Sequence, residues 1–180
     1  MTTLLPRRIS SSVLTGCVLA GLVAAGCTAT PTVVRAPAST AAHLATFDDL
    51  DFNVFSKQRW SELSRSHAHN VVVHWPDGHV TNGLHQHMED LMAMFLWAPD
   101  TRITEHTVKL GDGDWTAVTG TMTGTFTQAM RFGHPDVIPA TGKAYKIQMV
   151  TVAHWKDGVI DEEYLFWDNQ EFNRQLGLTL

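Results

Sequence analysis

Cysteine is nearly missing from this chain: 180 residues contain two, Cys17 and Cys27, and none follows position 27. No disulfide framework is available to the rest, so whatever folds there relies on its own core. Basic residues are sparse too, 13 against 18 acidic ones, and no Lys/Arg cluster stands beyond Arg7 and Arg8. Neutralising a phosphate backbone needs such clusters, which argues against nucleic acid as a partner. It also argues against an anionic membrane surface as a partner of the folded part. No glycine-rich phosphate loop is present; Gly111-Asp112-Gly113-Asp114 reads as a hairpin turn. No Ser or Cys nucleophile motif is found and no internal repeat is apparent.

The chain starts with two arginines, Arg7 and Arg8, and an uncharged run over 9–27 that ends in small residues. That order is the pattern of an export signal. Serines and glycines within the run weaken a permanent membrane span. Leu22-Val23-Ala24-Ala25-Gly26-Cys27 resembles a bacterial lipobox, which implies lipidation at Cys27 and removal of 1–26. Leu14-Thr15-Gly16-Cys17 fits the same pattern after a shorter apolar run. Residues 27–45, rich in Ala, Thr and Pro, read as a lipid anchor and tether. The expectation is an exported protein of the bacterial cell envelope, touching the membrane only through its lipid. Without Arg7 and Arg8, 11 basic residues face 18 acidic ones, a net charge of −7. The remainder, 46–180, suits one domain with one core.

Within it, 47–53 is acidic and apolar and suggests a short docking helix. Ser56 is placed to cap a helix through about Ser66. Residues 70–75 are strand-like, and Pro76-Asp77-Gly78 signals a turn. Leu84, Met88, Leu91, Met92, Phe95 and Leu96 form an apolar stripe at helical spacing over 84–97, closed by Pro99. Period-two alternation then predicts strands over 102–110, 115–128, 143–156 and 159–168. Helices first and long antiparallel strands after predict an α+β fold. Its helices pack on one face of a curved sheet, making a cone with a pocket inside.

The last strands carry the chemistry. His154-Trp155-Lys156-Asp157-Gly158 turns into an aromatic strand, Tyr164-Leu165-Phe166-Trp167, that ends on Asp168. A three-residue loop at 156–158 would set Val150 opposite Tyr164 and Gln148 opposite Phe166. His154 and Asp168 would then project from one face with Gln148, Val150, Val152, Tyr164 and Phe166. A two-residue turn at Asp157-Gly158 would separate them. The opposite face, with Met149, Ala153, Trp155, Leu165 and Trp167, is also apolar. A sheet apolar on both faces needs a second cover, hence a homodimer. Asp168 has two readings. Desolvated by aromatics it becomes a base; followed by Glu171 three residues on, it caps a helix.

The stretch His67-Ala68-His69-Asn70-Val71-Val72-Val73-His74-Trp75-Pro76-Asp77-Gly78, then Gly83, the hairpin at 154–158, and Phe166-Trp167-Asp168 before Gln175-Leu176-Gly177 carry a likeness. Together they resemble the SnoaL-like polyketide cyclases and related ester cyclases of the nuclear transport factor 2-like superfamily. The likeness spans about 52–178. It implies a cone-shaped α+β fold, dimers, and ring closure by intramolecular aldol condensation with no metal or coenzyme. It also implies a catalytic acid at Asp168, with His154 nearby. The chain departs from the family in carrying Asn70 where Asp is common.

The expected function is proton abstraction or aldol-type cyclisation on a small apolar carbonyl or ester. The alternatives are a non-catalytic domain binding a hydrophobic ligand or partner, and a histidine-based metal enzyme. His74 and Trp75 would line the pocket mouth, with Gln148, Tyr164, Phe166 and Trp97 as further pocket residues. Six of ten histidines fall between His67 and His87. His85 and His87 stand about 200° apart on a helix and cannot chelate one ion together, so no metal is assigned.

Overall fold

The computed structural model describes residues 39–131 and 137–178. Residues 1–26, Cys17, Cys27 and most of the tether lie outside them. The folded part starts earlier than 46. Helix α1, Thr40–Asp49, is capped by Ser39, whose side chain accepts from the Ala42 amide at 3.3 Å. Its His43 and Phe47 are buried; His43 stacks on Trp155 at 4.5 Å. Residues 40–45 therefore belong to the domain and not to the tether.

The helix runs on as a π-helical turn, Leu50–Phe55. Ser56 ends that turn instead of starting a helix, because Gln58 takes a positive φ of 54° and only a 3-10 turn, Trp60–Arg65, follows. Strand β1 spans His67–His74 and a short β2 spans Val80–Asn82. Helix α2, Leu84–Trp97, is where the apolar spacing put it. Its buried stripe is narrower than expected: Leu96 is 75% exposed, while His87 is fully buried beside Leu84, Met88 and Leu91. Strands β3 (Arg102–Asp112), β4 (Trp115–Thr125), β5 (Ala144–Lys156) and β6 (Val159–Trp167) precede the last helix, α3 (Asn169–Leu176).

The six strands form one curved, unclosed sheet in the order β2-β1-β6-β5-β4-β3. The sheet departs from the expected antiparallel pattern once: β1 runs parallel to β6. Residues of odd number along β5, from Tyr145 to Trp155, are buried, and those of even number are not. The core fills the concave side. There Trp97 meets Phe126 at 5.5 Å and Phe172 of α3 at 6.1 Å.

The β5–β6 connection differs in detail from both expected forms. Lys156 pairs with Val159 across a two-residue turn whose Asp157 and Gly158 both have positive φ (53° and 81°), the backbone that twists with its strands. A bulge follows at once, with Trp155 opposite Ile160 and His154 opposite Glu162, leaving Asp161 as the extra residue. The bulge restores the parity that the short turn would have broken. Val150 consequently faces Phe166, not Tyr164. The set from Gln148 to Phe166 does share a face, but it is the outer one.

Candidate active site

The cavity opens on the concave side, between α2, the Leu50–Phe55 turn and the sheet. It holds about 50 Å³. Its walls are mostly apolar: Leu50, Phe55, Leu91, Met94 and Ile103 on one side, Met122, Met149 and Leu165 on the other. Trp75 and Trp167 stand edge to face at 6.3 Å and also line it. Five polar side chains enter this apolar space: Asp51, His67, His87, Thr151 and Glu163.

Glu163 comes from β6, which places Glu163, Leu165 and Trp167 on one face by simple alternation. It is only 4% exposed. Glu163 Oε2 lies 3.7 Å from His67 Nε2 and 3.6 Å from His87 Nε2, both beyond hydrogen-bond length. His67 sits at the start of β1 and His87 in the first turns of α2; each is 2% exposed. His67 Nε2, His87 Nδ1 and Trp167 Nε1 are buried without a hydrogen-bond partner. Burial pushes the Glu163 carboxyl up, but the two imidazoles outweigh it and hold it below the ordinary carboxylate range. Burial, which outweighs the opposing pull of Glu163, drives His87 down to about 4, so it is neutral at pH 7.

Asp51 stands on the π-helical turn, 7% exposed. Its Oδ2 lies 2.7 Å from His106 Nε2, and His106 Nδ1 lies 2.9 Å from Asp48 Oδ1. Asp48 and Asp51 are one helical turn apart, so both reach the same imidazole. Register shifts on each side of His106 bend β3 and turn its ring inward under Phe52. Asp48 is partly exposed and also holds Lys109 Nζ at 2.8 Å. A continuous chain of carboxylate, imidazole and carboxylate thus runs from the surface to the cavity wall. Burial raises the Asp51 carboxyl above the usual range, more than its bond to His106 lowers it. Burial pulls His106 down, but Asp51 and Asp48 overcome it and raise it. Both of its nitrogens face acceptor-only carboxylates when those are ionised, the arrangement of a doubly protonated ring.

The residues expected from the sequence are mostly elsewhere. Asp168 is exposed and accepts from the Glu171 amide at 2.9 Å, capping α3. Glu171 turns to Arg174 at 2.6 Å, so only half of a capping box forms. Asp168 lies past the end of β6 and outside the cavity, with no aromatic enclosure to make it a base. His154 is on the outer face, bonded to the bulged Asp161 at 2.6 Å. His74 and Tyr164 stack on each other outside, at 4.2 Å. Gln148 and Phe166 line a shallow outer depression, and Trp97 is core. Trp75 lines the cavity, its indole N–H given to Thr81 at 2.8 Å.

Asp51, Glu163, His106 and the pairing of His67 with His87 were missed by the sequence reading. The signals existed. His87 falls within the stripe of Leu84, Met88 and Leu91; Glu163 shares alternation with Leu165 and Trp167; His67 shares it with Val71 and Val73. A polar residue on a core face is the informative exception.

None of the curated proteins matches the chain. Solved structures do share the fold. A candidate SnoaL-like polyketide cyclase from Jannaschia sp. CCS1 superposes with a TM-score of 0.68 at 16% identity, covering 81% of this chain and 98% of that one. IdmH, a candidate polyketide cyclase from Streptomyces antibioticus, gives 0.63 at 21% identity over 78% of this chain and 100% of its own. A candidate polyketide cyclase from Xanthomonas campestris pv. campestris gives 0.65 at 17% identity over 77% and 99%. The family model for the SnoaL-like polyketide cyclases matches residues 45–176, nearly the whole folded part, and the chain belongs to that family.

Proposed function

We propose that the concave cavity removes a proton next to a carbonyl of a small apolar β-dicarbonyl or ester substrate, with Asp51 as the base. The observation that carries this is the Asp48–His106–Asp51 chain, which ends in an apolar cavity and begins in solvent. Two cavity carboxylates have environments that push them in opposite directions, Asp51 up and Glu163 down. Such a split is how one site assigns a proton carrier and a fixed charge. The substrate C–H proton passes to the Asp51 carboxylate, and its bonding pair delocalises into the carbonyl as an enolate. In a substrate with a further, remote carbonyl, the enolate carbon attacks that carbonyl, and the new alkoxide takes back the proton held by Asp51. The Trp167 indole N–H is a donor only and has no protein partner, so it suits the enolate oxygen.

The test is deuterium exchange at the acidic carbon of a simple β-keto ester, followed by NMR with the full chain. Asp51→Asn abolishes catalysed exchange and Asp168→Asn leaves it intact. Equal exchange in wild type and D51N would overturn the assignment. Saturable ligand binding without exchange in the wild type would favour a binding domain instead.

The same proposal includes a second copy of the chain on the outer sheet face. Phe166 and Trp115 are 52% and 43% exposed there, beside Val150 and Val152, an apolar stretch that a partner would cover. Export and lipid attachment at Cys27, in the bacterial envelope, rest on the lipobox-like 22–27 and complete the reading.

A further inference from the structure

We infer that His67, His87 and Glu163 form a binding site for one divalent transition-metal ion of the zinc class. Their donor atoms come from three separate elements and lie within 4.8 Å of one another. The tautomer of His67 is set by its neighbour. The Ser66 hydroxyl donates to the Leu63 carbonyl at 3.1 Å, so Ser66 Oγ accepts from His67 Nδ1–H at 2.9 Å. His67 Nε2 then points at a carboxylate oxygen 3.7 Å away and has no hydrogen-bond partner. A buried polar nitrogen and a buried carboxylate without a direct bond are costly unless something satisfies both. The 3.7 Å separation is longer than a hydrogen bond and leaves room between the two atoms. His87 Nε2 faces the same oxygen at 3.6 Å.

A metal fits the spacing. With metal–ligand bonds of about 2.0–2.2 Å, tetrahedral donors stand roughly 3.3–3.6 Å apart. Both distances to Glu163 need only a few tenths of an ångström of closure, and the two imidazoles, whose ring centroids are 5.1 Å apart, need more. Two imidazoles and one carboxylate, with no thiolate, select zinc or iron-like ions over magnesium or calcium. The Ser66 bond to His67 is the outer support that orients a ligating imidazole. A fourth position would open on the cavity beside Trp75 and Leu91. The assignment rests on these three side chains and goes beyond the role proposed for Asp51.

The experiment is calorimetric titration of Zn²⁺ into the chelator-treated, untagged full chain. One equivalent should bind at micromolar Kd or tighter. Glu163→Gln and His87→Leu should each weaken it at least about a hundredfold. His85→Ala, which alters an exposed histidine on the same helix, should bind as wild type. Should a variant misfold by circular dichroism, zinc-edge X-ray absorption of the loaded wild type decides. Two imidazoles with oxygen donors support the site; a sulfur shell or an all-oxygen shell overturns it. Absence of saturable binding overturns it as well, as does binding unchanged in E163Q and H87L.

Discussion

Replacing Asp51 by Asn and by Ala separates chemistry from support at one position. Asn keeps an oxygen in the place where His106 Nε2 is held at 2.7 Å. It also removes a carboxylate that burial disfavours in its charged form. Loss of a charge-assisted bond costs about 1.5–3 kcal/mol, and relief of the buried charge offsets much of it. D51N should therefore stay within roughly 1 kcal/mol of wild type, a shift of no more than about 4 °C in Tm for a domain of this size. Ala leaves a buried imidazole N–H without an acceptor and a void beside Phe55 and Leu50. That should cost about 2–4 kcal/mol, or roughly 6–14 °C. Both variants lose the base. Exchange at the β-keto ester carbon should fall about 10²–10⁴-fold in each, some 3–5 kcal/mol of barrier. The assays are thermal melting and NMR exchange on the same samples. A D51N that melts as low as D51A, or one that still exchanges, would refute the reasoning; the first outcome makes Asp51 a structural strut.

Asp51 is held above its unfolded value, so the native state binds more protons between the two pKa values and stability falls as pH rises through that window. Catalysed exchange should rise through the same window as the base ionises, with a midpoint above an ordinary carboxylate. His106, His67 and Glu163 are the titratable groups acting on it, and a pH–rate profile of D51N flat over that range is the check. Asp168→Ala should cost about 1 kcal/mol through the lost cap, read as a lower Tm with unchanged exchange. His154→Ala should leave exchange unchanged, since its partner is Asp161. Phe166→Glu should convert a dimer to monomer in sedimentation velocity; a wild type already monomeric at high concentration removes the dimer proposal.

The fold was legible where periodicity is strong. Helix α2 and the four long strands stand within a few residues of their expected ends, because apolar spacing and turn residues act locally. The site was not, for a reason that the β5–β6 hairpin makes plain. Parity was right: His154, Tyr164 and Phe166 do lie on one face. Which of two apolar faces turns inward is decided by where α1 and α2 dock, and alternation along a strand carries no information about that. The Asp157-Gly158 turn and the bulge at Asp161 each move the register by one; only the first is marked by its residues. Asp168 attracted attention by ending an aromatic strand, yet a strand end next to a helix start needs a cap more than a cavity needs an acid there. The polar groups of the cavity come from five separate segments, among them an acidic helix end, a histidine among apolar helix residues and the last acid of the run Asp161-Glu162-Glu163.

The parallel pairing of β1 with β6 also bears on how the chain folds. His74 and Glu162 touch across 88 residues of chain, and the His67–Glu163 gap closes across a similar length. A growing polypeptide therefore carries β1 without its central neighbour until the last strand is available. Contacts of such sequence separation slow folding, and an uncovered valine-rich strand is a hazard meanwhile. The exposed His69 and Asn70 interrupt β1 just before Val71-Val72-Val73, and polar residues beside an apolar strand are the usual protection against premature association. Any truncation that removes β6 takes the wall carrying Glu163 and Trp167 with it, so the cavity can be neither inherited by a fragment nor formed early.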